Sequence, residues 1–161
     1  MMLSHSRKPA VAWSRRKTQL DWLACRNAAY RQLAGVAAVN RIDNPKTAIV
    51  AGTGAWGEIH PVYRAYARAV GFHIDACAGG APEAKGKVEA MVRLSRLRLD
   101  PSHRLWDGLG ELDAWTEARL DDWAKRAICP ATGKSVDESW EDELARLAPL
   151  PLCCPSPSTS Q

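Results

Sequence analysis

The nine residues from Val39 to Thr47, VNRIDNPKT, limit what this chain can fold into more than any other stretch. β-Branched Val36, Val39 and Ile42 favour an extended backbone running to Asp43, and Asn44-Pro45 ends it because proline cannot continue a hydrogen-bonded ladder. Val36 to Asp43 is therefore expected to be a strand with an acid at its C-terminal end. In an open α/β sheet, ligands and catalytic groups gather at that edge.

The segments on either side predict helices alternating with short strands. Leu3–Ser6 and Ala10–Ser14 suggest a hairpin around Arg7-Lys8-Pro9. Thr18 suits an N-cap, and Leu20, Trp22, Leu23, Ala28, Ala29, Tyr30 and Leu33 follow at helical spacing up to a stop at Gly35. The apolar positions of this helix occupy more than one face, so it should be packed between a sheet and a second layer. Pro61 and Gly71 bracket another helix, with Val62, Tyr63, Tyr66 and Val70 on one side and Arg64 and Arg68 on the other. Phe72–Cys77 is expected to be a second buried strand.

Residues 78–84, AGGAPEA, have loop composition, and a helix is expected from about Lys85 to Leu99. Its wheel puts Val88, Met91, Val92, Ser95 and Leu99 on one side, with Lys85, Glu89, Arg93 and Arg96 together on the other. One acid among three bases suits a metal ion held beside phosphates. Beyond Pro101, helices are expected at Leu109–Ile128 and Trp140–Leu147, and the Pro/Ser-rich stretch from Ala148 on has the composition of a disordered tail. The expected division is thus 1–100, 101–147 and 148–161.

Charge is unevenly distributed. Up to Trp106 there are 17 Lys/Arg against 7 Asp/Glu, a net of +10, whereas from Asp107 on there are 5 against 11, a net of −6. A basic body invites a polyanion, while the acidic part would fold back on it or face a different partner; the alternative is that both are simply solvated surfaces. Five cysteines without a CxxC pair, and four histidines without HxxH or HxxxH spacing, disfavour a disulfide framework and a zinc site. No apolar run approaches the roughly 20 residues of a membrane span. The expected location is the cytoplasm, associated with the nucleoid.

Asp43 and Glu89, with 45 residues between them, have two readings: surface residues, as two acids in a small domain more often are, or ligands converging on Mg2+ or Mn2+, since hard oxygen ligands leave metal positions open for attacking and leaving oxygens. IDNPKTAI, HPVYRAYARAVGFHIDAC and PEAKGKVE together resemble the catalytic core of the IstA-type DDE transposases, relatives of the retroviral integrases with an RNase H-like fold. The resemblance covers roughly Leu3 to Leu147; Asp43-Asn44-x-Lys46-Thr47 and Lys85-Gly86-Lys87-Val88-Glu89 are its most specific parts.

The resemblance implies a mixed sheet flanked by helices and metal-dependent transesterification on insertion-element DNA. Asp43 and Glu89 would be the second and last metal-binding acids. Lys46, Lys85 and Lys87 would hold DNA ends, with phosphate contacts from Arg93 and Arg96. It also implies a multimer and an ATPase helper protein as partners. The family's first aspartate has no counterpart, since no Asp or Glu precedes Asp21. The expectation is accordingly a partial core that lacks its first strand, carries a C-terminal helical extension and is inactive alone. Its alternative is a catalytically dead DNA-binding remnant or an inhibitor of an intact transposase.

Two further patterns admit bland readings. Gly52-Thr-Gly54-Ala-Trp-Gly57 mimics a dinucleotide-binding fingerprint, but Trp56 is bulky inside it and Pro61 delays the helix, so a surface loop is expected. Trp115, Trp123 and Trp140 are expected to be packing residues rather than base-stacking platforms.

Overall fold

The computed structural model describes residues 1–42, 49–51, 58–76 and 98–151. In chain order it contains α1 (Gln19–Gln32), β1 (Val39–Ile42), β2 (Ile49–Ala51), β3 (Glu58–Ile59), α2 (Pro61–Val70), β4 (His73–Ala76), a 3₁₀ turn (Pro101–His103), α3 (Leu109–Arg126) and α4 (Val136–Leu144). Helix and strand are mixed, as the sequence predicts, with helix in the majority. Among the described residues no helix is long and apolar enough to cross a membrane.

The helix ends follow local chemistry. The Thr18 hydroxyl accepts from the Asp21 N–H and so satisfies one of the orphan donors of α1. At the other end the stop comes one residue earlier than expected: Ala34, not Gly35, takes the left-handed conformation, with φ of 56°. The Gly35 N–H bonds to the Tyr30 carbonyl and the Ala34 N–H to that of Arg31, the paired closure of a Schellman turn. Gly35 is needed for another reason, since a Cβ there would meet Leu147 Cβ at 2.6 Å.

Pro61 stands at the first position of α2 and Gly71, with φ of 87°, closes it. Tyr63, Tyr66 and Val70 are buried as expected, together with Ala67, whereas Val62 is 44% exposed. The predicted N-terminal hairpin is reduced to a turn: Met2 and Pro9 form a single antiparallel bridge, and residues 4–6 turn instead of extending. Lys8, just before the bridge, is buried, and its N–H donates to the Ser6 hydroxyl.

The strands form two pairs. β1 and β4 run parallel, with Val39 opposite His73 and Ile42 opposite Ala76. β2 and β3 form an antiparallel hairpin around Gly52–Gly57, which lie outside the described residues. A dinucleotide fingerprint needs a turn from a strand directly into a helix, so this antiparallel connection excludes that reading.

Helix α1 lies between two apolar clusters and explains its broad apolar surface. On one side Leu23 and Tyr30 join Ile42, Tyr63, Tyr66, Val70 and Phe72. On the other, Ala29 and Leu33 join Leu3 and Ala10, against which Trp140 and Leu147 pack. A third cluster of Ala124, Cys129 and Val136, flanked by Trp123, binds α3 to α4.

The acidic C-terminal helices fold back on the basic N-terminal segment, resolving one of the alternatives the charge distribution left open. Their carboxylates cap backbone groups of that segment: Asp113 accepts from the Trp13 N–H and Glu143 from the Ser6 N–H. Asp121 and Asp137 both bind the buried Lys8 ammonium, at 2.9 and 2.8 Å, beneath the Trp140 ring. Ala148, where the Pro/Ser-rich stretch begins, pairs with Val36 as an antiparallel bridge, and Leu150 packs against the core. Residues 152–161 lie outside the described residues.

Candidate functional site

The feature that organises the candidate site is the end of the parallel pair. β1 and β4 are in register up to Ile42 and Ala76, the last described pair. Asp43 and Lys46 follow β1 in the chain, and Lys85, Lys87, Glu89, Arg93 and Arg96 follow β4. All seven lie outside the described residues. The described residues thus supply the platform from which both segments depart: the C-terminal edge of two adjacent parallel strands.

The two faces of that platform differ in chemistry. Val39 is 56% exposed on the outer face, and there Arg41 Nε donates to Asp75 Oδ2 across the pair at 2.7 Å. Both partners of this bridge are partly solvated, so it fixes register more than it adds stability. On the inner face the Asn40 side chain is buried and does three things at once. Its amide donates to the Ala37 carbonyl, and its Oδ1 accepts from Arg26 Nη2 and Tyr30 Oη, at 2.9 and 2.7 Å.

Arg26 is the unusual member of this group. It is 9% exposed, and no carboxylate among the described residues pairs with it. Four aromatic faces enclose it instead: Trp22, Tyr63, Phe72 and Tyr30 centroids lie 5.0, 5.3, 5.5 and 5.6 Å from Cζ. A buried ammonium would be costly here. A guanidinium is more weakly hydrated and stacks on rings, which makes the arrangement tolerable.

Its charge is felt nearby. Burial first and Arg26 second bring the Met1 amine down to about 6, while burial pushes the Tyr63 hydroxyl up to about 12 against the opposing effect of Arg26. Arg26 Nε and Tyr63 Oη make no hydrogen bond. In the sequence Arg26 is one basic residue in a helical pattern, and only the convergence of α1, α2 and β1 marks it as buried.

Many carboxylates among the described residues are engaged in caps, in the clamp on Lys8 and, for Asp75, with Arg41. No group of three or more His, Cys, Asp or Glu side chains among them is placed to hold a metal. The two described cysteines, Cys25 and Cys129, are free thiols. A small cleft of about 70 Å³ lies beside Lys8, Gln32, Glu117 and Asp121, and its polar groups already bind one another. No protein-family model matches the chain, and neither does any curated protein.

Proposed function

We propose that the chain is the catalytic core of a DDE-type polynucleotidyl transferase of the IstA transposase kind, RNase H-like in fold, acting on insertion-element DNA. The single observation that carries this reading is the conjunction of two motifs with one sheet edge. Asp43-Asn44-x-Lys46-Thr47 begins where β1 ends, and Lys85-Gly86-Lys87-Val88-Glu89 lies on the segment that leaves the adjacent end of β4. Convergence of catalytic groups on the C-terminal edge of parallel strands is general in α/β sheets.

In this reading Asp43 and Glu89 hold Mg2+ or Mn2+, whose charge stabilises the oxygens of the reacting phosphodiester. Lys46, Lys85 and Lys87 bind DNA ends, and Arg93 and Arg96 contact phosphates. A multimeric assembly and an ATPase helper protein belong to the same proposal. A second reading, a catalytically dead DNA-binding protein or an inhibitor of an intact transposase, draws on the excess of 17 Lys/Arg over 7 Asp/Glu up to Trp106, which suits DNA without calling for a metal.

The two separate on metal dependence. Supercoiled DNA incubated with the full chain should be nicked or joined only with Mg2+ or Mn2+, and Asp43→Asn and Glu89→Gln should each abolish the reaction. Equal inertness of the wild type and both variants, with DNA affinity retained, would replace the enzymatic reading by the binding one.

A further inference from the structure

Where the 3₁₀ turn meets α3, three rings stand together at the surface. The Trp106 and Trp115 centroids are 5.0 Å apart, and the His103 ring lies 5.4 and 5.1 Å from them. Part of this cluster anchors the loop, since the Trp106 indole N–H donates to the Pro101 carbonyl at 2.6 Å. Anchoring does not account for what covers the ring faces. Arg104 lies 4.0 Å over Trp106, and Arg119 lies 5.0 Å over Trp115.

Both arginines are solvent-exposed, and cation–π contacts at exposed sites are weak enough to be exchanged readily. Arg104 is also held by Glu111 at 2.8 Å. Arg119 has no carboxylate partner among the described residues; its Nε donates to the Arg98 carbonyl at 3.3 Å. Leu105, next to Trp106 in the chain, is 97% exposed among the described residues. The chain entering the cluster is basic: residues 93–106 contain Arg93, Arg96, Arg98 and Arg104 against the single acid Asp100.

In place of the packing role expected for Trp115 from its helical position, we propose that the Trp106–Trp115–His103 cluster is a nucleobase platform for single-stranded DNA. A base stacks on the Trp115 face now covered by Arg119, and the displaced guanidinium turns to the neighbouring phosphate. Every base presents a π face, so the contact tolerates any sequence, and the arginine fork matches a phosphate. The pairing of Arg104 with Glu111 leaves Arg119 as the group that exchanges first. The assignment rests on the DNA-binding part of the proposed function and is independent of its metal chemistry.

The test is titration of the full chain with a short oligo(dT), following the indole N–H signals by two-dimensional NMR and assigning them by substitution. The Trp106 and Trp115 signals should shift, and the effect should weaken with salt. Arg119→Glu, a change on an exposed face, should reduce affinity about tenfold and suppress both shifts, and Trp115→Leu should reduce affinity likewise and suppress the shift of the remaining Trp106 signal. The platform is refuted if oligo(dT) binds while both indole signals stay in place, or if Arg119→Glu binds as the wild type does. Absence of any DNA binding would overturn this assignment and the DNA-directed reading together. Platform binding without metal-dependent nicking would overturn the catalytic reading alone.

Discussion

At the residue scale, Ala34 and Gly35 show two different demands for a small side chain in adjacent positions. Ala34 adopts φ of 56°, where its Cβ is crowded by the following carbonyl. Glycine avoids that crowding, while its added unfolded-state freedom offsets part of the gain. Ala34→Gly is therefore expected to stabilise the fold by about 0.5–1 kcal/mol. Gly35→Ala should destabilise it by roughly 1–3 kcal/mol, because the new methyl meets Leu147 Cβ and the Ala148 carbonyl, a backbone group that cannot step aside. Urea midpoints at unchanged slope measure both, and a stabilising Gly35→Ala would contradict the close approach.

At the element scale, α4 shows how a short helix is secured. Nine residues are too few for a helix to persist alone, so its start depends on the reciprocal cap. The Ser135 hydroxyl accepts from the Glu138 N–H, and the Glu138 carboxylate accepts from the Ser135 N–H at 2.9 Å. Ser135→Ala should cost about 1 kcal/mol. The Glu138 carboxyl is held below its ordinary value, first by the Ser135 hydroxyl and then by the Ser135 N–H. Its contribution is thus fully present above the ordinary glutamate pKa and is lost as pH falls through the lowered value. Glu138→Gln should flatten that part of the acid stability profile, and an unchanged profile would mean that the carboxylate does not act as a cap. Apolar spacing places the helix start too late, at Trp140; the S-x-x-E pattern from Ser135 to Glu138, which that spacing does not register, is the local signal of the true start.

At the scale of the molecule, the unequal charge of the two parts becomes an internal contact. Asp121 and Asp137 converge on Lys8, Asp113 and Glu143 cap the N-terminal segment, and the Trp140 indole donates to the Leu33 carbonyl at 3.0 Å. Trp140 touches the apolar cluster, Lys8 and the end of α1 at once. Trp140→Ala should therefore cost roughly 2–4 kcal/mol, less than a fully buried tryptophan because the ring is only partly covered. Since those contacts join Ser6, Lys8, Trp13 and Leu33 to α3 and α4, fluorescence and far-ultraviolet circular dichroism should report coincident urea transitions. Two separated transitions would show that the contacts do not couple the parts.

Local chemistry determined much that is visible in the described residues. The Thr18 cap, Pro61 and Gly71 delimit helices, and β-branched Val39 and Ile42 favour the extended backbone of β1, because these effects act within a few residues along the chain. The same local patterns carry the two motifs on which the proposed function rests. Tertiary structure decided the rest. That β1 pairs in parallel with β4, that Lys8 and Arg26 are buried, and that the acidic helices close on the N-terminal segment all depend on groups brought together from distant positions. Period and propensity carry no record of those partners. A cation's burial is set by which carboxylates and rings surround it, and only the folded chain brings them within reach.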